Sequence, residues 1–230
     1  MASVLGAWPL GAKLAIAAGW LALVGGLAWS LDRRPDRRVE LTRKVVHIGT
    51  GNVILLAWLL AIPAWVGMAA SLLFGAIALL SYLLPLLPGI NSVGRRSFGT
   101  FFYALSIGLL VAWFWPRSQP QFAALGILIM TWGDGLAGLV GRAWGRHGYR
   151  LAGMEKSWEG SATMAVVSGA IAALLLFATG MVTGWAGLGL ALAIGLGSAL
   201  LEAFSPLGID NLTVPLGSAA LAWFALGYRF

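Results

Sequence analysis

Apolar runs of close to twenty residues recur along this whole chain, separated only by short polar or basic blocks. A helix needs about 20 predominantly apolar residues to cross the hydrocarbon of a bilayer. This spacing constrains the chain more than any other feature. The runs predict spans near 10–31, 45–62, 64–87, 99–115, 121–141, 161–179, 181–201 and 212–228. The expected fold is an all-α polytopic transmembrane helix bundle of about 7–8 spans. Pro63, the Pro85/Pro88 pair, Pro116/Pro120, Gly180 and Pro206 fall where the connections need turns, and Pro215 interrupts the last run.

Composition agrees with the runs. Only 10% of the residues are charged and 60% are hydrophobic, whereas soluble domains carry roughly 25% charged residues. The longest polar stretch, 142–160, is too small for a second, soluble domain, so residues 1–230 are read as a single integral membrane domain. The chain has no cysteine, which excludes disulfides and thiolate chemistry. Two histidines, His47 and His147, do not build a zinc site by themselves. Frequent glycines suit close packing of membrane helices.

Basic residues set the expected orientation. Arg33, Arg34, Arg37, Arg38, Arg43 and Lys44 fall between spans one and two, Arg95 and Arg96 between three and four, and Arg142, Arg146, Arg150 and Lys156 between five and six. The opposite side holds only Lys13, Arg117 and Arg229. This asymmetry places the odd-to-even connections in the cytoplasm and both termini outside. The first run has a lysine before it and an arginine cluster after it, the reverse of a cleavable signal, and is read as a retained span. The net charge of +7 reflects these loop clusters and not a soluble basic face, so nucleic acid is not an expected partner. The acidic residues were not used in that orientation. Even so, Asp32, Asp36, Glu40, Asp134, Glu155, Glu159, Glu202 and Asp210 all fall on or near the same side.

Five of those acids lie in or against three Gly-rich blocks: GDGLAGLVGR (133–142), GMEKSWEGS (153–161) and EAFSPLGIDN (202–211). A charge near the bilayer core is costly and marks a functional candidate. In the first block, helical spacing puts Asp134, Gly138 and Arg142 on one stripe, with Gly141 and Gly145 beside it. Residues without side chains let a ligand approach the carboxylate. Hard oxygen ligands of this kind suit magnesium completed by substrate phosphates, and Arg142 and Arg146 suit phosphate oxygens. The same strip also reads as helix packing with Asp134 paired to an arginine.

In the second block, Lys156 offers a point charge to a phosphate. Glu159 falls near a helix N-terminus, where backbone N–H groups favour an anion and where an acid also caps the helix. In the third block, Pro206 and Gly208 break the helix, so Glu202 and the Asp210–Asn211 pair flank a turn. They face one another, or face Asp134 across the bundle, or form a surface turn. At the start of span two, ELTRKVVHIGTGN puts Arg43 and His47 on one helical face beside Lys44. His47 is either a general base for an alcohol or an interfacial histidine among snorkelling side chains. No lysine ends a Walker-type phosphate loop, and the protein-kinase signatures are missing.

Together, RKVVH (43–47), GDGLAGLVGR (133–142), EKSWEG (155–160) and the E-x7-DN-x3-P spacing of Glu202, Asp210, Asn211 and Pro215 resemble the CTP-dependent polyprenol kinase family. That family includes phytol and dolichol kinases and, more distantly, a yeast-type diacylglycerol kinase. The similarity spans about 40–215, which is read as the catalytic core, with the first span outside it. It is nearest to the bacterial and plant phytol kinase branch.

The resemblance implies transfer of the γ-phosphate of CTP to a membrane-dissolved isoprenoid alcohol, phytol above all, giving the lipid monophosphate and CDP. It implies a multi-pass protein of a bacterial inner or thylakoid-type membrane, its active-site face cytoplasmic. Phytol phosphorylation would return phytyl groups toward tocopherol, phylloquinone or chlorophyll synthesis. Carried over, Asp134, Arg142, Lys156, Glu159 and Gly160 belong to the CTP–magnesium site. Beside the resemblance, magnesium is expected on Asp134 with Glu202 or Asp210, and His47 or Asp210 is expected to take the hydroxyl proton. Gly133, Gly135, Gly138, Gly141, Arg142, Arg146, Gly160, Arg43, Lys44 and Asn211, with Lys156, hold the nucleotide.

Three other readings make distinct predictions. A cytidylyltransferase similar to CDP-diacylglycerol synthase attacks the α-phosphate and releases pyrophosphate. A CDP-alcohol phosphotransferase shares the words DG and A-G but needs a downstream aspartate pair that this sequence lacks. An ion or small-solute transporter needs its acids at mid-membrane on a through-path.

Overall fold

The computed structural model describes residues 6–33, 39–83, 98–151 and 153–228. Arg34, Arg37, Arg38, Arg95, Arg96 and Arg229, and the turn expected at Pro85 and Pro88, lie outside the described residues.

The described chain is mostly helical. Helix α1 (Leu10–Asp32) is followed by α2 (Val39–Gly51) and α3 (Val53–Leu59), then α4 (Ala64–Leu83) and α5 (Gly99–Phe114). A long helix follows, made of α6 (Pro120–Leu128), a π-helical stretch (Ile129–Asp134) and α7 (Gly135–Trp144). Strands β1 (Gly148–Leu151) and β2 (Met154–Ser157) lead into α8 (Trp158–Ala178), α9 (Gly184–Ala203) and α10 (Asp210–Ala225). Among the described residues, five helices are long and apolar enough to cross a membrane: Leu10–Asp32, Ala64–Tyr82, Pro120–Trp144, Trp158–Ala178 and Gly184–Ala203. Gly99–Phe114 is apolar but shorter.

The Pro120–Trp144 helix is the centre of the bundle. Pro120 opens it at the first helical position, where a missing N–H costs nothing. The residues that follow are apolar on every side, and such a helix belongs in a core. Phe122, Leu125, Ile127, Ile129 and Met130 are at most 1% exposed. Helices α8 and α10 close on it through small residues. A Cβ at Gly126 would lie 2.3 Å from the main-chain oxygen of Pro215 on α10. Between α8 and α9, a Cβ at Gly195 would lie 2.4 Å from the oxygen of Ala165. Backbone cannot yield as a side chain can, so Gly126→Ala is expected to destabilise the bundle by about 1–3 kcal/mol. Thermal unfolding in detergent reads this as a lowered midpoint. Gly19→Ala, which enters open space on α1, leaves the midpoint unchanged or slightly raised.

Three sequence expectations change. The polar stretch 142–160 is not a plain loop, and the all-α description needs an antiparallel hairpin. In it, β1 pairs with β2 in the register Gly148↔Ser157 to Leu151↔Met154. Gly153 takes φ +77° in the turn, a conformation open to glycine at no steric cost. Second, Pro215 does not interrupt the last run; α10 passes through it. Without an N–H, Pro215 gives the carbonyl of Asn211, four residues earlier, no ladder bond. Third, the run expected at 45–62 is two helical pieces meeting at Asn52, which bonds back to the Ile48 carbonyl.

Candidate active site

The end of the central helix carries the first block. Asp134 closes the π-helical stretch, a local widening of the helix that is frequent at functional sites. Its carboxylate accepts a hydrogen bond from Lys44 Nζ on α2 at 2.7 Å, and Lys44 also bonds the Asp134 main-chain oxygen at 3.0 Å. Lys44 is only 3% exposed, so this carboxylate is its nearest counter-charge. A Cβ at Gly138 would come within 3.0 Å of Lys44 Nζ; the missing side chain is what lets the lysine reach Asp134. His47, one turn further along α2, places Nε2 3.7 Å from the same carboxylate. Its ring stacks on Tyr103, whose hydroxyl bonds Thr131 at 2.8 Å.

The other two blocks arrive from α8–α10. Lys156, on β2, donates to both the side chain and the main-chain carbonyl of Glu202 at the end of α9. After the Pro206–Gly208 turn, Asp210 begins α10. Asn211 bonds its carboxylate through both its backbone N–H (3.0 Å) and its side-chain amide (3.1 Å). Among the described residues, Asp134, Glu202 and Asp210 form a single cluster, one oxygen from each lying within 4.8 Å of the others. Residues that are separate in sequence meet because the end of α9 and the start of α10 converge on the π-helical stretch of the central helix. Such a set of hard oxygens suits a divalent cation.

Beside the cluster lies a cavity of about 620 Å³, lined on one wall by Asp134, Gly138, Gly141 and Arg142, and on others by Lys156, Gly160 and Glu202. That volume falls within the range of small-ligand sites, about 300–1,000 Å³. The hairpin forms its outer wall, with Tyr149 and Arg150 on β1 and Glu155 on β2. Ser157 accepts the Gly160 N–H as the cap of α8. Gly141 and Gly160 meet so closely that a Cβ on either would lie 3.5 Å from the Cα of the other.

The remaining sequence candidates are spread around this cavity. Gly133 packs on Met164 and Ser168, and Gly135 on Ile48, so both serve helix contacts outside the cavity lining. Arg146 is exposed beyond the end of α7. Glu159 is also outside the lining; it pairs with His147 Nδ1 at 2.7 Å and accepts the His147 backbone N–H, tying the hairpin base to α8. Arg43 lies outside the lining and is engaged by Glu40, an acid that is not among the sequence candidates.

Glu40 accepts from Arg43 at 2.7 Å and lies 3.3 Å from Arg142 on α7. It precedes the apolar part of its helix. Burial works against its ionisation, but the bonded Arg43, helped by Arg142 and Lys44, holds its carboxyl below the usual carboxylate range. Its i, i+3 relation to Arg43 is a legible signal; its reach to Arg142 is not. Tyr149 and Arg150 on β1 also line the cavity, as does Ser161 on α8, which bonds the Tyr149 hydroxyl at 2.6 Å; the sequence carries no clear signal for the hairpin that presents the first two.

No family model matches the chain, and no solved structure matches it. Among curated proteins, a chloroplastic farnesol kinase from Arabidopsis thaliana is 32% identical over 209 residues, covering 81% of this chain and 66% of that protein. A probable chloroplastic phytol kinase from Triticum aestivum is 27% identical over 244 residues, covering 94% and 77%. A phytol kinase from Synechocystis sp. is 52% identical over 219 residues, covering 94% of this chain and 93% of that protein. With that identity over nearly the whole of both proteins, the chain belongs to the phytol kinase family.

Proposed function

We propose that the protein is an integral membrane lipid kinase that moves the γ-phosphate of CTP onto an isoprenoid alcohol, phytol foremost. The observation that carries the site assignment is the meeting of Asp134, Glu202 and Asp210 within 4.8 Å beside a cavity lined by Arg142 and Lys156. Family membership supports the reaction class.

Magnesium fits the three carboxylates. Magnesium takes hard oxygen ligands, and one carboxylate oxygen from each of the three side chains lies within 4.8 Å of the others. Asp134, Glu202 and Asp210 would hold it, and when bound it would screen the charge of the phosphates. The chain's own residues do the rest. Lys156 and Arg142 offset charge on the transferring group, since phosphoryl transfer asks the protein chiefly for positioning and neutralisation. Gly138, Gly141 and Gly160 leave room for the triphosphate to lie against backbone. Asn211 fixes the Asp210 carboxylate. With Asp210 serving as a ligand, His47 is assigned as acceptor of the hydroxyl proton. The alcohol oxygen bonds to the γ-phosphorus as the bond to the bridging oxygen breaks, and CDP leaves.

We further propose that the α2–α3 pair, α5 and α10 span the bilayer with the five longer helices. The site then faces the cytoplasm, as the distribution of Lys and Arg supports. The fitting assay incubates purified protein with magnesium and γ-labelled CTP against phytol, farnesol, a longer polyprenol and diacylglycerol. Label is expected in phytyl monophosphate, with chelator abolishing it. Label retained in CTP or transferred only to diacylglycerol, or release of pyrophosphate from CTP, contradicts the assignment.

A further inference from the structure

Arg142 lines the cavity, and it shares one acid, Glu40, with Arg43, which lies on another helix just outside that lining. Glu40 on α2 bonds Arg43 through both Nε (3.2 Å) and Nη2 (2.7 Å), and approaches Arg142 on α7 at 3.3 Å. The Glu40 side chain is 16% exposed, whereas those of Arg43 and Arg142 are 47% and 58% exposed. The acid is therefore a fixed, half-buried post and the arginines are its movable partners. Burial opposes charge on Arg43, yet Glu40, with Asp134 and Asp210 behind it, keeps the guanidinium firmly protonated. Two guanidinium groups brought to one cavity edge repel each other, and each long side chain gains freedom by swinging into water. A single carboxylate between them offsets both effects. It also leaves guanidinium N–H groups directed elsewhere, because each carries five donors.

We propose that Glu40 is a positioning residue for the nucleotide: it clamps Arg43 and Arg142 side by side so that their free N–H groups meet the phosphates of the incoming triphosphate. The proposal rests on reading the cavity as the nucleotide site. Glu40 touches neither substrate nor metal; it acts through the arginines. Its helix also carries Lys44 and His47, so the clamp ties the α2 end of the site to the α7 end across the cavity rim. The Glu40–Arg142 contact joins segments about a hundred residues apart, and this separates it from an ordinary helix-surface pair.

The test is a double-mutant cycle in detergent-solubilised full-length protein, comparing wild type with E40Q, E40D, R142Q and E40Q/R142Q. Three quantities are followed: KM for CTP, KM for phytol, and calorimetric affinity for the β,γ-methylene analogue of CTP with magnesium. Contacts of this exposure are modest, so E40Q is expected to raise the CTP KM and weaken analogue binding by about fivefold. The phytol KM and melting temperature stay at the wild-type values. E40D, with the charge kept and the reach shortened, recovers part of the affinity. E40Q adds less on the R142Q background than on wild type, since only Arg43 is then left to hold.

If R142Q weakens the analogue while E40Q does not, or if the two effects multiply, the clamp is wrong and the nucleotide site stands. A melting temperature lowered by E40Q with analogue affinity intact makes Glu40 a structural tie only, and also overturns the proposal. If R142Q itself leaves analogue binding untouched, the reading of the cavity falls, and the clamp with it.

Discussion

Asp134→Asn is expected to lower kcat by about three orders of magnitude, the scale on which removal of a transition-state electrostatic partner acts. The substitution removes one of three clustered carboxylates and leaves Lys44, itself 3% exposed, without its counter-charge. An orphaned buried charge costs about 3–5 kcal/mol, so loss of activity alone would not separate chemistry from folding. The double substitution D134N/K44M does separate them. Removing both charges is expected to restore the thermal midpoint in detergent to within a few degrees of wild type, while activity stays at the D134N level. Activity returning with stability would mean that Asp134 serves only to hold Lys44.

Much of this arrangement was legible in the sequence, and the division has physical causes. Helices followed from apolar runs because bilayer thickness fixes their length; α1, α5 and the central helix end within a few residues of the expected limits. Asp134, Lys156, Glu202 and Asp210 stood out because ionisable groups at the ends of apolar helices are costly without a purpose. Their convergence was not legible. Whether Glu202 and Asp210 face Asp134 depends on how α9 and α10 cross the central helix, and contacts such as Gly126 against the Pro215 carbonyl set that crossing.

The hairpin escaped because two four-residue strands carry too little alternation to stand out from a polar loop. Glu159 had its partner hidden for a related reason. Its position at a helix start suits an anion site, but the folded hairpin brings His147 onto it instead. Glu40 looked like one half of a routine i, i+3 pair, and only the α2–α7 contact gives it Arg142 as a second partner.

Lys156→Met is the second substitution with a large expected effect, a fall of about 10²–10³ in kcat/KM for CTP. Two changes act together. On the proposed function, the triphosphate would lose an ammonium group that neutralises charge during transfer, and Glu202, with its side chain and main-chain oxygen both bonded to Lys156, would be left to repel the phosphates. Lys156→Arg keeps the charge, but a planar fork cannot replace a compact ammonium between two oxygens of one residue, so partial recovery is expected. Steady-state kinetics with varied CTP at saturating phytol measure both variants. A K156M protein that kept wild-type kcat/KM for CTP would remove the β2 hairpin strand from the mechanism.

The central claim is that the end of α9 and the start of α10 meet the π-helical stretch of the central helix so that Glu202, Asp210 and Asp134 can share one divalent ion beside the nucleotide. Electron paramagnetic resonance of Mn²⁺ titrated into detergent-solubilised protein, with the β,γ-methylene analogue of CTP present, measures this without turnover. The account predicts one tightly held Mn²⁺ per chain, with D134N, E202Q and D210N each weakening it by at least about tenfold. Wild-type Mn²⁺ affinity in all three variants would contradict it.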